Sequence, residues 1–411
     1  MAKERQFNTP PLRILHIFSR LNCGGAEKRT LEVAQYIRQH PELRHCIHFD
    51  YCVLSGLPGV LDEKAHALGA AIHYLPLRQV GFPRRFIALL RQGRYNVVHS
   101  HVHHASGFLV ALARLAGIPG RIVHFRSQSD GKKSPLRWPI RWLLKRLIDR
   151  AATRILAVSR CVMESAWGED WTQDHRCQVI YNGIDVDTSY KIPDFTERSK
   201  LLVALGIPAD ARLIAHIGGY RPAKNHSRLI DIFEHVRRLD QRSHLLLVGD
   251  CSKGQERLTK HIAERGLTEA VHFLGVRDDV SRLVRAVDVM VFPSLWEGLP
   301  GAVLESLAVG TPVVASDIPP HREIASLLPG IICVPLAASD ECWASRIQSL
   351  SNPTPDERAV ARFRFAKSPF TLDRCVDSLV AAWEGSLPSS VVEVAEEKAM
   401  VASVSSERRA A

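Results

Sequence analysis

The amino-acid sequence predicts an α/β protein with two doubly wound domains, each a parallel sheet covered by helices on both faces. Two observations predict this fold class. Short apolar runs of strand length alternate with segments of helix length, as parallel sheets require. The alternation stops at a polar stretch, 187–200, and then starts again. With 411 residues, 46% of them hydrophobic, the chain is long and apolar enough for two packed cores.

The first half begins with a predicted strand at 12–18 and a helix at 26–38. Its later predicted elements are strands at 46–54, 97–99, 121–125 and 154–158 and a helix at 107–116. The second half repeats this order, with strands at 213–217, 244–248, 271–274, 289–292 and 312–315 and helices at 225–238, 257–265 and 301–308. Ligands of such sheets bind beyond the carboxyl ends of the strands, so the loops that follow the strands are where we expect a site.

These patterns predict an N-terminal domain over 1–188, a linker over 189–200 and a C-terminal domain over 201–368. One more helix, at 369–385, is predicted to return to the N-terminal domain. The last stretch, 386–411, is rich in Ser, Ala, Val and Glu and is predicted to be disordered.

The composition narrows the class of protein. The formal net charge of +11 favours anionic partners such as phosphate groups, nucleic acid or acidic lipid. Nine cysteines without a CxxC pair argue against a disulfide framework or a structural zinc site and favour a reducing cytosol. The first apolar run, 12–18, is too short for a signal peptide, and no apolar run reaches the ~18 residues of a membrane span.

The turn after the first strand has the features of an anion site. Gly24 and Gly25 open a helix, where the missing side chains let a ligand approach and the helix N-terminus favours a phosphate. A plain tight turn is the alternative, because the pair does not match GxGxxG.

A second turn of this kind, in the second half, carries two cations. Gly219 precedes Arg221 and Lys224, and fixed cations there would stabilise a leaving diphosphate without a metal. The alternative is a solvated basic turn.

Two glutamates stand eight positions apart after the strand at 289–292. Glu297 lies in the predicted loop, and Glu305 lies on the apolar helix at 301–308. A carboxylate on such a helix is costly unless it binds hydroxyls or other donors, which a sugar and a ribose would supply. Two surface glutamates are the alternative interpretation.

Together these motifs resemble the large family of retaining GT-B glycosyltransferases usually numbered four. The resemblance rests on Glu297-x7-Glu305, the turn with Gly24 and Gly25, the turn with Arg221 and Lys224, and Asn182-Gly183-Ile184-Asp185. It covers about residues 12–383, and the two-glutamate segment, continuing through 310–317, is its most specific part.

The resemblance implies a role for each of these residues. Glu297 would hold hydroxyls of the donor sugar, Glu305 would hold those of the ribose, and Lys224 with Arg221 would hold the diphosphate. Many family members carry an arginine where this chain has Gly219, so Arg221 would substitute for it.

Backbone groups complete the implied donor site. The amides of Leu299 and Gly301 would meet the phosphate or the sugar, and Val276 would border the base. Many members have glycine where this chain has Pro300, which removes one amide donor. Gly24 and Gly25 would let the donor phosphate approach from the other domain.

A run of histidines, His99-Ser100-His101-Val102-His103-His104, follows the third predicted strand. It is close to the H-x-H-x-D-H of zinc hydrolases, and imidazole is a common zinc ligand, although His103 stands at the aspartate position. In the family pattern a histidine aligns with His101, which would face the donor sugar or the acceptor. A zinc-dependent hydrolase that uses the His99–His104 cluster and structural histidines on a loop are the alternatives.

Residues 137–150, preceded by Lys132 and Lys133, are a basic run with two tryptophans, Trp138 and Trp142, and from 139 the run predicts an amphipathic helix. Such helices can lie on an acidic membrane surface. The alternative is a domain helix that packs its apolar side on the sheet and leaves a cationic face in solvent. No recognised nucleic-acid-binding module is visible, so we expect no nucleic-acid partner.

The resemblance implies transfer of a sugar from a UDP- or GDP-linked donor to a glycan, lipid-linked or polysaccharide acceptor, with retention of configuration. No metal or other cofactor is expected. The expected setting is envelope or exopolysaccharide synthesis in the cytoplasm, peripheral to the inner face of the membrane. A nucleotide-sugar-binding relative that has lost turnover stays open as a further alternative.

Overall fold

The computed structural model describes residues 11–22, 24–128, 138–186 and 194–388, with the backbone alone for 194–197. The chain divides into two compact units at Tyr181, earlier than the boundary expected at 188. The first unit holds the residues up to Tyr181 and those from Arg374 onward, and the second holds Asn182–Asp373.

The first unit is built on a parallel sheet. Its strands are β1 (Leu12–Phe18), β2 (Ile47–Val53), β3 (Ile72–Tyr74), β4 (Val97–Ser100), β5 (Gly120–Phe125), β6 (Arg154–Ala157) and β7 (Cys177–Val179). They pair in the order β3-β2-β1-β4-β5-β6-β7. The helices are α1 (Gly25–Gln39), α2 (Pro41–Arg44), α3 (Asp62–Ala67), α4 (Phe82–Gln92), α5 (Ser106–Leu115), α6 (Trp138–Ala151) and α7 (Arg160–Trp167).

The second unit repeats this architecture. Its strands are β8 (Arg212–Ile217), β9 (Ser243–Val248), β10 (Val271–Gly275), β11 (Val289–Phe292), β12 (Val313–Ser316) and β13 (Ile331–Val334). They pair in parallel in the order β10-β9-β8-β11-β12-β13. The helices are α8 (Asp194–Leu205), α9 (His226–Leu239), α10 (Gln255–Glu264), α11 (Val280–Ala286), α12 (Gly301–Ala308), α13 (Pro319–Leu327), α14 (Asp340–Gln348) and α15 (Pro355–Lys367), and α16 (Leu372–Glu384) runs on into the first unit.

The central strands are buried on both faces, which explains why they read as continuous apolar runs rather than as alternating ones. In β1, for example, Ile14, Leu15 and Ile17 are fully buried. Each unit also buries one tryptophan completely, Trp383 from α16 in the first and Trp343 from α14 in the second. The two α/β sheets confirm the predicted fold class.

The strand orders define where each unit can bind a ligand. In the first sheet the order reverses between β1 and β4, and in the second it reverses between β8 and β11. Loops that leave neighbouring strands on opposite faces open a crevice at such a point. The loops after β1 and β4 carry Gly24 and His101, and those after β8 and β11 carry Lys224 and Glu297.

The stretch expected as a linker, 189–200, is different in the structure. Helix α8 begins at Asp194, and Leu202 packs into the core below β8 and β9. The polar composition and Pro193 hid this helix, in which Phe195 is followed by no further apolar residue until Leu201. Residues 187–193 and most of the expected tail, from 389 onward, lie outside the described residues.

Candidate functional site

Lys224 is the centre of a compact group at the switch point of the second sheet. Its Nζ lies 2.8 Å from Oε1 of Glu297 and 4.2 Å from the centre of the Phe292 ring. Its stem crosses Gly218, where a Cβ atom would lie 2.9 Å from Cε of the lysine. The side chains of Lys224 and Glu297 are only 18% and 13% exposed. The aromatic face and the carboxylate therefore hold the ammonium group in one place. The absence of a side chain at Gly218 leaves room for the lysine stem.

The loops after β8 and β11 are joined by hydrogen bonds on both sides of this ion pair. The amide of Leu295 donates to the carbonyl of Ala223 at 2.8 Å. Asn225, whose φ of 55° lies in the left-handed region, donates its Nδ2 to the carbonyl of Pro293 at 3.2 Å. Asparagine tolerates that conformation better than most residues, so the turn suits its sequence. The two loops therefore form one element that fixes the distance from lysine to glutamate.

A buried histidine supports the second loop. Nδ1 of His321 donates to the carbonyl of Ser316 at 2.7 Å, and the Ser316 hydroxyl donates to the carbonyl of Ser294 at 2.6 Å. Burial lowers the pKa of His321 to about 4, so the ring is neutral near pH 7. With its proton on Nδ1, Nε2 carries a lone pair, which is buried without a partner in the described part of the chain.

The other residues of this unit that were predicted to bind the sugar donor lie in loops at the same edge of the sheet. Arg221 is exposed, and no described residue hydrogen-bonds to its side chain. Gly219 is close to the next loop, since a Cβ there would lie 3.2 Å from the Asp250 carbonyl. Val276 follows the edge strand β10 and is 62% exposed, with β9 between that strand and β8.

Helix α12 places the second glutamate. It begins at Gly301, and Pro300 is its N-cap residue. Leu299 is buried, whereas Glu305, one turn into the helix, is partly exposed. The structure thus brings Lys224 and Glu297 into contact and places Leu299, Gly301 and Glu305 on the same loop and helix.

In the first unit, the glycine turn opens α1 as expected. The helix begins at Gly25, which faces open space, and Gly24 is its N-cap residue. A Cβ on Gly24 would lie 2.2 Å from Oε2 of Glu27, so this carboxylate lies above the turn. An anion that binds the N-terminus of α1 there has to turn Glu27 away, because two negative charges cannot share the position.

Arg126 is a residue beside this turn that the sequence did not reveal. It follows β5, and its Nη2 donates to the carbonyl of Ala26 at 3.3 Å and to Oγ1 of Thr30 at 3.2 Å. Burial lowers the pKa of Arg126 to about 10, which leaves it charged at neutral pH. A single arginine after a predicted strand gives no signal by itself. Only the fold places this cation at the first turn of α1.

Four histidines form a largely buried cluster: His16, His99 and His124 lie on the neighbouring strands β1, β4 and β5, and His101 lies just after β4. The indole Nε1 of Trp383 donates to Nδ1 of His99 at 3.1 Å, so the proton of that ring is on Nε2, which lies 3.2 Å from Nδ1 of His124. Burial lowers the pKa of His16 to about 3 and holds the pKa of His99, His101 and His124 well below the ordinary value. All four rings are therefore neutral at physiological pH.

His101 belongs to this cluster. Its Nε2 lies 3.1 Å from Nδ1 of His16, and its ring stacks on Phe18 with centroids 4.4 Å apart. Its Nδ1 is buried and has no partner among the described residues. Contact with a donor sugar or an acceptor, as the sequence predicted, would have to be made through that nitrogen.

The predicted zinc run does not form one site. The rings of His103 and His104 pack against Phe125, whereas the side chains of His16, His99 and His101 bring one ring nitrogen each within 4.8 Å of the others. These three are the group in the described chain that could hold a metal ion. Hydrogen bonds from Trp383 and between His16 and His101 already engage nitrogens that a metal would need.

Two family models match the chain, Glycosyltransferase Family 4 over residues 23–188 and Glycosyl transferases group 1 over residues 197–362. The chain belongs to the group 1 glycosyltransferases. This membership favours transfer over the hydrolase alternative, and it accounts for both units.

Curated relatives and solved structures agree with the family. The chain is 29% identical to EpsF of Bacillus subtilis (strain 168), over 83% of this chain and 88% of the relative. It is 28% identical to the capsular polysaccharide biosynthesis glycosyltransferase CapH of Staphylococcus aureus, over 82% and 90%. It is 26% identical to the UDP-Gal:alpha-D-GlcNAc-diphosphoundecaprenol alpha-1,3-galactosyltransferase of Escherichia coli, over 56% and 60%.

The fold is also that of a solved structure, HepE of Anabaena in complex with UDP and glucose. The TM-score is 0.75 with 19% identity, and the match covers 91% of this chain and 99% of HepE. At this identity the likeness concerns the fold, and it confirms GT-B.

Proposed function

We propose that this glycosyltransferase is a retaining, metal-independent enzyme of the cytoplasm that uses a UDP- or GDP-linked sugar. We propose a glycan, lipid-linked or polysaccharide acceptor, in envelope or exopolysaccharide synthesis. The observation that carries the proposal is the Lys224–Glu297 pair at the switch point of the second sheet. It combines a fixed cation for a diphosphate with a carboxylate that accepts hydroxyl hydrogens from a sugar.

Lys224 acts on the leaving group in this proposal. Negative charge grows on the diphosphate as its bond to the sugar breaks, and a preorganised ammonium stabilises that charge in the transition state. Glu297 and Phe292 hold the ammonium in position before the donor arrives, so little reorganisation is needed. Arg221, exposed at the same turn, adds a second positive charge.

The remaining donor contacts follow from position. Glu297 accepts hydrogen bonds from the sugar hydroxyls and Glu305 from the ribose. The amides of Leu299 and Gly301 meet the phosphate or the sugar, and Val276 borders the base. The acceptor hydroxyl attacks the anomeric carbon on the face that the diphosphate leaves, and a phosphate oxygen takes its proton. The roles of His101, Gly24 and Gly25 stay predictions.

The substrates of relatives support the proposed donor and acceptor. HepE was crystallised with UDP and glucose, and the Escherichia coli relative takes UDP-Gal as donor. The acceptor of that relative is linked to diphosphoundecaprenol, and CapH serves capsular polysaccharide synthesis. These relatives favour a UDP-sugar and an acceptor of a lipid-linked or polysaccharide kind.

Thermal stabilisation by a panel of UDP, GDP, ADP, zinc and NAD tests the donor site. A ligand that binds only the folded state raises the unfolding midpoint by mass action. We expect a rise with one nucleoside diphosphate, most readily UDP, and turnover of the matching sugar nucleotide with a lipid-linked acceptor. A rise with zinc alone would favour the histidine cluster as the functional site and overturn the proposal.

A further inference from the structure

The first two turns of α6 leave their large apolar side chains in solvent. Trp138, Ile140, Trp142 and Leu143 are 69%, 60%, 52% and 53% exposed. The buried residues of this helix are Ile148 and Ala151, near its other end. A helix on a protein surface ordinarily turns its apolar stripe to the core, whereas this half of α6 turns its large apolar side chains to solvent.

Helix geometry separates the two faces. At about 100° per residue, Trp138, Trp142 and Arg146 follow one another at intervals of four along one side, with Leu143 and Arg150 beside them. Ile148 and Ala151 fall on the opposite side. We call the first set, Trp138, Trp142, Leu143, Arg146 and Arg150, the α6 outer face. The Arg146 guanidinium lies 5.3 Å from the centre of the Trp142 ring, as this spacing requires.

The second half of α6 is fixed to the first unit, so the helix cannot roll to bury its tryptophans. A Cβ on Gly107 of α5 would lie 2.2 Å from the carbonyl of Leu144, so the two helix backbones are nearly in contact. Lys145 donates to the carbonyl of Trp167. Arg114 caps the C-terminal end by donating to the carbonyl of Arg150 at 2.6 Å.

We propose that the α6 outer face docks on the surface of an anionic lipid bilayer. The tryptophans and Leu143 would enter the interface between headgroups and acyl chains, where amphipathic rings are most stable. Arg146 and Arg150 would lie at the level of the lipid phosphates. The protein would rest on the bilayer without crossing it, and none of the described helices is long and apolar enough for a span.

The charge of the outer face favours a lipid over a protein partner. Asp149 is the acidic residue on that side, and Arg176 neutralises it with an ion pair of 2.9 Å. The face therefore presents apolar area together with uncompensated positive charge, in a chain of net charge +11. Each cation near an acidic bilayer contributes about 1 kcal/mol at ordinary salt, so the two arginines change binding by roughly 30-fold.

The biological purpose of the docking rests on the proposed function, but the experiment that tests the docking does not depend on it. A lipid-linked acceptor is confined to the membrane surface, so an enzyme that rests there meets it by diffusion in two dimensions. Lys132, Lys133 and Arg137 precede the helix in sequence but lie outside the described residues.

Co-sedimentation of the full chain with phosphatidylcholine vesicles, with and without phosphatidylglycerol, tests the docking. We expect binding that requires phosphatidylglycerol and weakens with salt. The double variant Arg146→Gln/Arg150→Gln should bind about 30-fold more weakly. The double variant Trp138→Ser/Trp142→Ser should lose roughly tenfold or more, because it removes most of the inserted apolar area.

Phe363 provides the matched control. It is 61% exposed on α15, and Lys367, four residues on, places its Nζ 4.1 Å from the ring centre. Phe363→Ser should bind vesicles like the unchanged protein. An equal loss in Phe363→Ser, equal binding to vesicles without phosphatidylglycerol, or unchanged binding by the tryptophan variant would each overturn the proposal.

Two further readouts separate this proposal from its rivals. If the outer face instead joined two copies of the chain, light scattering would show a dimer that the tryptophan variant dissociates, and the membrane proposal would fall. The α6 variants should keep their stabilisation by UDP, since the donor site lies in the other unit. Vesicle binding without any stabilisation by a nucleotide would sustain the docking and remove the proposed function.

Discussion

Replacing Lys224 by methionine tests the donor site most directly. The change removes the ammonium and keeps most of the aliphatic stem that crosses Gly218, so packing is retained. It leaves the Glu297 carboxylate, now without its lysine, facing the place where a diphosphate is proposed to bind. We therefore expect weaker nucleotide binding and slower turnover, both for an electrostatic reason.

The magnitude follows from the exposure of the pair. The two side chains are 18% and 13% exposed, so water still reaches them and a fully buried charge is the wrong comparison. A hydrogen bond between a cation and a phosphate in such a setting contributes about 1.5–3 kcal/mol, or roughly 10- to 150-fold in Kd. Loss of one preorganised donor to the leaving group lowers kcat by about 10²- to 10³-fold.

The assay is thermal stabilisation by UDP, with turnover measured in parallel. At a UDP concentration of about 100 Kd, the unchanged protein gains ~2.7 kcal/mol. If Lys224→Met weakens binding about 100-fold, the gain falls to ~0.4 kcal/mol. Adding Glu297→Gln to Lys224→Met should restore part of the binding, because it removes the repelling carboxylate, but turnover should stay low.

Lys260 offers a matched control for this experiment. It pairs with Glu264 at 3.9 Å on an exposed face of α10, with the lysine side chain 78% exposed. Lys260→Met should leave both UDP stabilisation and turnover unchanged. Full UDP stabilisation and near-normal turnover in Lys224→Met would refute the reasoning.

Further expectations follow from the site and its support. His321→Asn keeps a side-chain donor for the Ser316 carbonyl but does not titrate. Because the pKa of His321 falls from 6.5 unfolded to about 4 folded, the wild type should lose ~1.6 kcal/mol of stability between pH 6.5 and pH 5, and the asparagine variant should lose less in pH-dependent urea melts. Trp383→Phe removes the donor to His99 and should cost about 1–3 kcal/mol in urea unfolding, whereas a loss below the measurement error would contradict the hydrogen bond. Gly218→Ala places a methyl group against the Lys224 stem and should lower UDP affinity without lowering the midpoint by more than a few degrees; unchanged affinity would show that the stem can move freely. Metal analysis should find no stoichiometric zinc, and EDTA should leave turnover unchanged, whereas loss of turnover on chelation would contradict the metal-independent mechanism.

The long buried elements could be predicted from the sequence because their apolar runs are continuous. The predicted bounds of β1, β11 and α12 agree with the structure at both ends. The edge strands β3 and β7 were missed, since each has only three residues and none of them is buried, which leaves no apolar run to detect.

For the site, the sequence identified residues but not their contacts. Lys224 and Glu297 are 73 positions apart, and only the pairing of β8 with β11 brings them together. The sequence did not predict that His16 belongs to the histidine cluster, because His16 lies in the middle of an apolar strand that is typical of a core. Arg126 was hidden for a different reason, since its neighbour α1 lies about 100 residues earlier in the chain.

The salt bridge between Lys224 and Glu297 has a consequence for the order of events in catalysis. A nucleotide that draws the ammonium toward its phosphates strips the carboxylate of its counterion. In the proposed donor site, a complete donor would compensate Glu297 with sugar hydroxyls, whereas the product nucleotide, which has lost the sugar, would not. In that proposal the empty position would penalise the product relative to the substrate by the cost of one unsatisfied carboxylate, which would favour release after each turnover and limit inhibition by spent nucleotide.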